Sequence, residues 1–219
     1  MDAVEIEVKF WVPCPEALVE RVLSLGARDG GRVFECNRIF DDPSRSLEAR
    51  GELLRLRQDD AWRLTYKLPC RDDGQFKVRR ELETTLADGE VLAAVFHSLG
   101  LRAVRCYEKW RRTFDVGEVH LCLDTLPFGD FVEIEGTGEN IRSMAADLGF
   151  PWSRRILGTY LDLFHIVAEE MHLTFRDITF ANFAGMAVDI SAWRSRFEAG
   201  GAPSGDPSAP SAKPVCPRL

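Results

Sequence analysis

Val4-Glu5-Ile6-Glu7-Val8-Lys9-Phe10 alternates apolar and charged residues without a slip. Successive side chains of a β-strand point to opposite faces, so Val4, Ile6, Val8 and Phe10 share one face and Glu5, Glu7 and Lys9 the other. An ordinary half-buried strand, with its charges in water, reads the same way. Later segments raise the stakes, because they repeat the pattern. Over 52–58, Leu54 and Leu56 oppose Arg55 and Arg57; after the Asp59-Asp60 turn, Leu64, Tyr66 and Leu68 oppose Arg63, Thr65 and Lys67. The stretch 75–85 sets Lys77, Arg79, Glu81 and Glu83 at one parity. Further on, Lys109, Arg111 and Thr113 oppose Trp110 and Phe114, and His120, Cys122 and Asp124 oppose Leu121 and Leu123. Last, Phe131, Glu133 and Glu135 oppose Val132 and Ile134. With a strand over 32–41 the count is about eight, mostly in hairpins, which suits an α+β fold: a closed eight-stranded antiparallel β-barrel with helices packed outside.

Between these strands, Leu18, Val22 and Leu25 recur at helical spacing before Gly26. Asp88 is an N-cap for a helix whose expected apolar stripe is Val91, Val95 and Leu99. Thr137 caps a helix carrying Ile141, Ala145 and Leu148, and a last helix is expected to hold Ile156, Leu157, Tyr160, Leu161 and Phe164. The periodicity stops near Ile166. The expected organisation is a barrel domain over 1–165, an extension over 166–198 of undefined structure, and a disordered Gly/Pro/Ser/Ala-rich tail over 199–219.

At 219 residues the chain is long enough for a substantial core. A formal charge of −7 argues against a general nucleic-acid binder. The six cysteines are scattered with no C-x-x-C pair, which points to reduced thiols rather than a zinc site or a disulfide framework. No basic-then-apolar leader opens the sequence and no apolar run approaches spanning length, so a cytoplasmic protein without membrane contact is expected. There is no phosphate-binding G-x-x-x-x-G-K-[ST] loop. His97, His120, His165 and His172 are dispersed; His120 alone shares the charged parity of the strands, as does Cys122, whose default role is a small packed thiol. Trp110 and Trp152 read as packing residues.

The single-parity charges are the chemistry of this chain. Taken strand by strand, they read as solvated faces of an antiparallel sheet. Taken together, Lys and Arg dominate the middle strands and paired Glu the first and last, which that reading explains less well. If the sheet closes, these charges face inward, a costly arrangement unless they serve a ligand. Guanidinium forks from several strands match phosphate oxygens, and clustered carboxylates take a hard divalent cation beside substrate phosphates. A tunnel offering both is shaped for a metal-bound triphosphate.

Glu5-x-Glu7-x-Lys9 resembles the E-x-E-x-K signature of the CYTH superfamily, the triphosphate tunnel metalloenzymes, and the chain looks most like the class IV adenylyl cyclase (CyaB-like) branch. Supporting matches, in order, are Leu54-Arg55-Leu56-Arg57, Lys67, Arg79 with Glu81 and Glu83, Lys109-Trp110-Arg111, Leu123-Asp124, the run from Gly129 to Glu135, and Thr159-Tyr160-Leu161-Asp162-Leu163. The resemblance covers about residues 3 to 165. It implies Mg²⁺ or Mn²⁺ on Glu5, Glu7, Glu133 and Glu135, and a phosphate clamp of Lys9, Arg55, Arg57, Lys67, Arg79, Lys109 and Arg111. Lys9, Lys67, Glu81 and Asp124 are the candidate catalytic residues on the same ground. The sequence departs from the family at Ile39, where some members carry a tyrosine that assists catalysis.

The expected function is therefore metal-dependent attack on a small-molecule triphosphate. Conversion of ATP to cyclic AMP and pyrophosphate, and hydrolysis of inorganic, nucleoside or thiamine triphosphate, share this machinery, and the residues leave the two open. The alternative is a non-catalytic polyphosphate- or nucleotide-binding module. Oligomeric state, a homodimer included, is open as well.

Overall fold

In the computed structural model, which describes residues 2–70 and 74–200, the strands are β1 (Asp2–Trp11), β2 (Arg28–Asp41), β3 (Leu53–Gln58), β4 (Trp62–Pro69), β5 (Lys77–Leu86), β6 (Arg102–Val116), β7 (Val119–Leu126) and β8 (Gly129–Glu135). The helices are α1 (Pro15–Ser24), α2 (Ser46–Ala49), α3 (Gly89–Ser98), α4 (Gly138–Asp147) and α5 (Tyr160–Glu170). The strands hydrogen-bond antiparallel in the order β1-β5-β4-β3-β2-β6-β7-β8, and β8 returns to β1. Each strand thus has a neighbour on both sides, leaving no open edge. Beside β1, β5 pairs only as far as Glu7; beyond it Ile156 takes over, exchanging backbone hydrogen bonds with Lys9.

Alternation on each strand decides what goes where. On β1, Val8 and Phe10 face out into a core where α1 (Leu18, Val22) and α4 (Ile141, Met144, Ala145) cover β6, β7 and β8. Glu7 and Lys9, of opposite parity, face into the ring and are buried there. A second core joins α5 (Tyr160, Leu163, Phe164, Val167) to the inward-parity residues Ile39, Tyr107 and Phe131, so α5 lies across one end of the ring. The chain beyond α5 adds Ile178, Phe183 and Ile190 to that core, and Ile178 hydrogen-bonds the β6 backbone at Cys106 and Glu108.

Several local expectations are corrected. Strand β2 starts at Arg28 rather than Arg32, because β6 is long enough to pair it back to Asp115. On α3, capped by the Asp88 carboxylate as expected, the stripe Val91, Val95 and Leu99 is exposed. The packed face is Phe96 with Leu92 and Ala93, against Trp62, Leu64 and Leu86. The final helix starts at Tyr160, with Thr159 and Asp162 forming a reciprocal capping box; Ile156 and Leu157 precede it. Trp110 is partly exposed, edge-on to Phe34 with Arg32 over its ring, rather than packed in a core. Cys36, Cys70, Cys106 and Cys122 are free thiols, and Cys216 lies outside the described residues. Of the expected tail, Ala199 and Gly200 hydrogen-bond to Arg155 and Ser153, and residues 201–219 lie outside the described residues. No helix among the described residues is long and apolar enough to cross a membrane.

Candidate active site

The ring encloses a cavity of about 520 Å³ walled by charge. All the expected site residues but one line it: Glu5, Glu7, Lys9, Arg55, Arg57, Lys67, Arg79, Glu81, Lys109, Arg111, Glu133 and Glu135. Strand register sets them side by side. Glu7 stands across from Lys77 on one flank and Glu135 on the other, Lys9 across from Glu133, and Lys67 across from Glu81.

Lys9, 1% exposed, places Nζ 2.7 Å from Glu133 Oε1 and 3.8 Å from Glu7 Oε1. Its ammonium also lies 4.4 Å from the centre of the Tyr160 ring, which Lys109 approaches to 5.4 Å. Lys67 sits between Glu5 at 2.6 Å and Glu81 at 2.7 Å. On β3, the strand beside that of Lys67, Arg55 donates to the Tyr107 hydroxyl at 3.0 Å and to Thr65 at 3.2 Å, and Arg57 faces Asp59, Glu35 and Glu83 at 3.2, 3.5 and 3.5 Å. The Nε of Arg55 is buried without a hydrogen-bond partner, and Arg79 faces the cavity with no carboxylate at ion-pair distance among the described residues.

Asp124 is the expected site residue that does not line the cavity. It is fully buried behind the wall, accepting from Lys109 Nζ at 2.8 Å, from Arg111 Nε and Nη2 at 2.7 and 2.6 Å, and from the Tyr160 hydroxyl at 2.8 Å. Arg111 also pairs with Glu133. Asp124 therefore fixes two cations by a bidentate fork and a single bond, the strong form of such pairs.

Sequence reasoning missed Glu35, Asn37, Tyr107 and Tyr160. Glu35, 2% exposed, lies within 4 Å of Arg57, Lys109 and Arg111. Part of the signal was present: Glu35 and Asn37 alternate with Phe34 and Cys36, although Arg38 and Ile39 reverse the pattern. Tyr160 looked like one more apolar helix residue; its hydroxyl bonds Asp124, distant in sequence. Tyr107 brings a hydroxyl into the cavity beside Ile39, the position at which the family tyrosine is lacking.

The carboxylates separate by environment. Burial opposes ionisation of Glu7, but Lys77 at 2.5 Å, with Lys9 and Lys67, outweighs it and the pKa falls to about 2. Burial is likewise outweighed at Glu35, by Lys109, Arg111 and Arg57, giving about 2, and Glu133 is held well below the usual range by Lys9 and Arg111. Glu135 goes the other way. Burial, with Glu5 and Glu133 nearby, pushes it up to about 8. One oxygen each of Glu5, Glu7 and Glu135 lies within 4.8 Å of the others. Three converging carboxylates, one of them with its pKa raised by burial and its acidic neighbours, form a donor set that fits a hard divalent ion.

Residues 3–148 match the CYTH domain family. The chain belongs to that family. A Methanocaldococcus jannaschii protein, provisionally named an adenylate cyclase, is 28% identical over 134 residues, spanning 60% of this chain and 76% of its own. A Pyrococcus horikoshii protein structure is 27% identical with a TM-score of 0.63, covering 73% of this chain and 98% of its own. A Vibrio parahaemolyticus structure, also provisionally named an adenylate cyclase, shares the fold at 22% identity and a TM-score of 0.68, over 75% of this chain and 99% of that one. The CYTH domain thus spans every strand of the ring, whereas α5, which closes one end of it, lies beyond the matched residues.

Proposed function

We propose that the ring is a closed triphosphate tunnel and that the protein is a divalent-metal-dependent enzyme cleaving a triphosphate held inside it. The observation that carries this reading is the joining, in one enclosed cavity, of a three-carboxylate set at Glu5, Glu7 and Glu135 with a guanidinium wall at Arg55, Arg57 and Arg79. Mg²⁺ or Mn²⁺ on Glu5, Glu7 and Glu135, with Glu133 beside them, would neutralise phosphate charge during bond cleavage. Arg55, Arg57, Arg79 and Lys67 grip the phosphates; the orphaned Nε of Arg55, and Arg79, which has no carboxylate at ion-pair distance among the described residues, are donors with capacity to spare. Lys9, Lys109 and Arg111 present positive charge beside the acidic set, and Asp124, which touches none of the cavity, is a positioning residue that holds Lys109 and Arg111 together with Tyr160. Glu81 keeps Lys67 charged: burial works against the ammonium, but Glu5 and Glu81 raise its pKa. A pure anion binder gains nothing from so many carboxylates beside its phosphates, which disfavours the non-catalytic alternative.

Water attacking the γ-phosphorus gives a triphosphatase; a ribose 3′-hydroxyl attacking the α-phosphorus of ATP gives a cyclase. The relatives provisionally named adenylate cyclases favour offering ATP first. The deciding assay incubates the protein with Mg²⁺ or Mn²⁺ and either ATP or inorganic triphosphate, and identifies the products. Orthophosphate release marks a triphosphatase, and cyclic AMP with pyrophosphate a cyclase. Tight triphosphate binding with no product from either substrate overturns the enzymatic reading.

A further inference from the structure

Cys122 is buried but belongs to none of the three apolar clusters of the fold. On β7 its neighbours Leu121 and Leu123 face the outer core, where a buried thiol ordinarily serves as a small apolar residue. Cys122 has the opposite parity, is 1% exposed, and lies among Arg111, Glu135, Asp124 and Glu133. The register places it directly across from Glu133, and its Sγ is 4.0 Å from Glu135 Oε1. Among the charged groups around it, what distinguishes this side chain is a soft donor atom beside Glu133 and Glu135.

We propose that Cys122, Glu133 and Glu135 form a second metal site, selective for thiophilic divalent cations such as Zn²⁺, which competes with the oxygen-only set for Glu135. One ligand atom of each of the three lies within 4.8 Å of the others, and the same distance bound relates Glu5, Glu7 and Glu135. The two sets share Glu135, so occupying one withdraws a ligand from the other. Oxygen-only sites suit Mg²⁺ and Mn²⁺, whereas a thiolate selects Zn²⁺. In a tetrahedral shell with Zn–S of about 2.3 Å and Zn–O of about 2.1 Å the donors stand about 3.5 Å apart, so these side chains need close by about 1 Å. Two carboxylates, a thiolate and one open position fill that shell. Binding expels the thiol proton to solvent as the Zn–S bond forms. Lys9 and Arg111, already paired with Glu133, offset part of the negative charge gathered there. The consequence is inhibition by Zn²⁺ of the Mg²⁺-supported reaction. That consequence rests on the proposed function; the site itself does not.

The test is titration of the full chain with Cd²⁺, followed by ultraviolet thiolate-to-metal charge transfer, in wild type, Cys122→Ser and a Cys36→Ser/Cys106→Ser control. The expected result is a saturable band in wild type and control that Cys122→Ser lacks. Affinity for Zn²⁺, from competition with a chromogenic chelator, should fall by about tenfold or more in Cys122→Ser, since loss of a mere supporting residue can cost that much. Glu135→Gln should weaken the Cd²⁺ band without touching the thiol, which keeps the proposal open to refutation should Cys122→Ser fold poorly. Where Mg²⁺-dependent turnover is measurable, half-inhibition by Zn²⁺ should move up by a similar factor in Cys122→Ser, each protein normalised to its own uninhibited rate. Identical bands and identical Zn²⁺ affinity in wild type and Cys122→Ser overturn the site. Absence of turnover in every protein, with the spectral difference intact, overturns the proposed function and leaves the site standing.

Discussion

The Tyr160 hydroxyl donates to Asp124 Oδ2 at 2.8 Å, tying the first turn of α5 to the buried carboxylate that also holds Lys109 and Arg111. The helix that closes the ring is thereby joined to the cations of its wall. Removal of this one hydroxyl, as Tyr160→Phe, should cost about 1 kcal/mol of stability, the worth of an ordinary hydrogen bond with its acceptor still otherwise satisfied. Because Lys109 and Arg111 keep their other partners, turnover should fall less than for loss of either cation. Urea unfolding and steady-state rates check this; a loss of 3 kcal/mol or more (~3, the scale of an uncompensated buried charge) would mean Asp124 depends on Tyr160 far more than its three other bonds suggest.

Carboxylates and cations in the tunnel should fail differently. Glu7→Gln or Glu135→Gln keeps the shape and removes the charge of a proposed metal ligand, so turnover should fall by roughly two orders of magnitude or more, about 2.7 kcal/mol of transition-state stabilisation, with partial rescue by raised Mg²⁺ or Mn²⁺. Arg57→Ala should weaken triphosphate binding without rescue by metal, and Arg57→Lys should recover part of the loss, since an ammonium cannot reproduce a bidentate fork. A metal titration of initial rates separates the two behaviours. Near-normal kinetics for both Glu7→Gln and Arg57→Ala would return these residues to a structural role.

Metal binding should strengthen as pH rises through about 8. In the folded, metal-free protein Glu135 titrates near 8, against about 4.3 in an unfolded chain. Between those values the folded state holds a proton that the unfolded state has released, so this group's contribution to stability declines as pH rises across the window. A divalent cation replaces that proton. The rise in Tm on adding Mg²⁺ or Mn²⁺ should therefore be larger at about pH 8.5 than at about pH 6, and Glu135→Gln should flatten the difference. Glu7, depressed to about 2, acts in the other direction: its contribution is present above about pH 4.3 and is lost as the pH falls toward 2. Equal Tm shifts at both pH values in wild type would contradict this account of Glu135.

On α3, Phe96→Ala should destabilise by about 3 kcal/mol or more, because a buried ring in contact with Phe40 is replaced by a cavity. Val91→Ser and Val95→Ser, on the exposed face, should stay within about 0.5 kcal/mol of wild type. Denaturant midpoints of the three variants decide it, and a large loss from Val91→Ser would show that the outer stripe is covered in solution.

The strand pattern was legible from the chain alone because alternation is a local property. Glu5, Glu7 and Lys9 announce an inward face in seven consecutive residues, and each later strand repeats the signal, so the inward set was nearly complete before any pairing was known. The outward faces of the helices were less legible. Val91, Val95 and Leu99 form a fair apolar stripe, yet the ring offers its apolar surface to Phe96, and tertiary packing chose the face.

What the sequence determined by itself is the parity of the strands and the sorting of acidic and basic side chains along them, which follow from residue type and spacing, and the motifs by which the chain resembles its family. What the tertiary structure decided is which charges compensate which. Glu7, Glu133 and Glu135 are alike in sequence, but Lys77 faces the first, Lys9 and Arg111 the second, and burial among other carboxylates the third. Glu35, Tyr107 and Tyr160 joined the site for the same reason: their partners lie on strands and helices far away in the chain. Electrostatic energy in a buried cavity depends on distance and desolvation, and neither is written in the order of the residues.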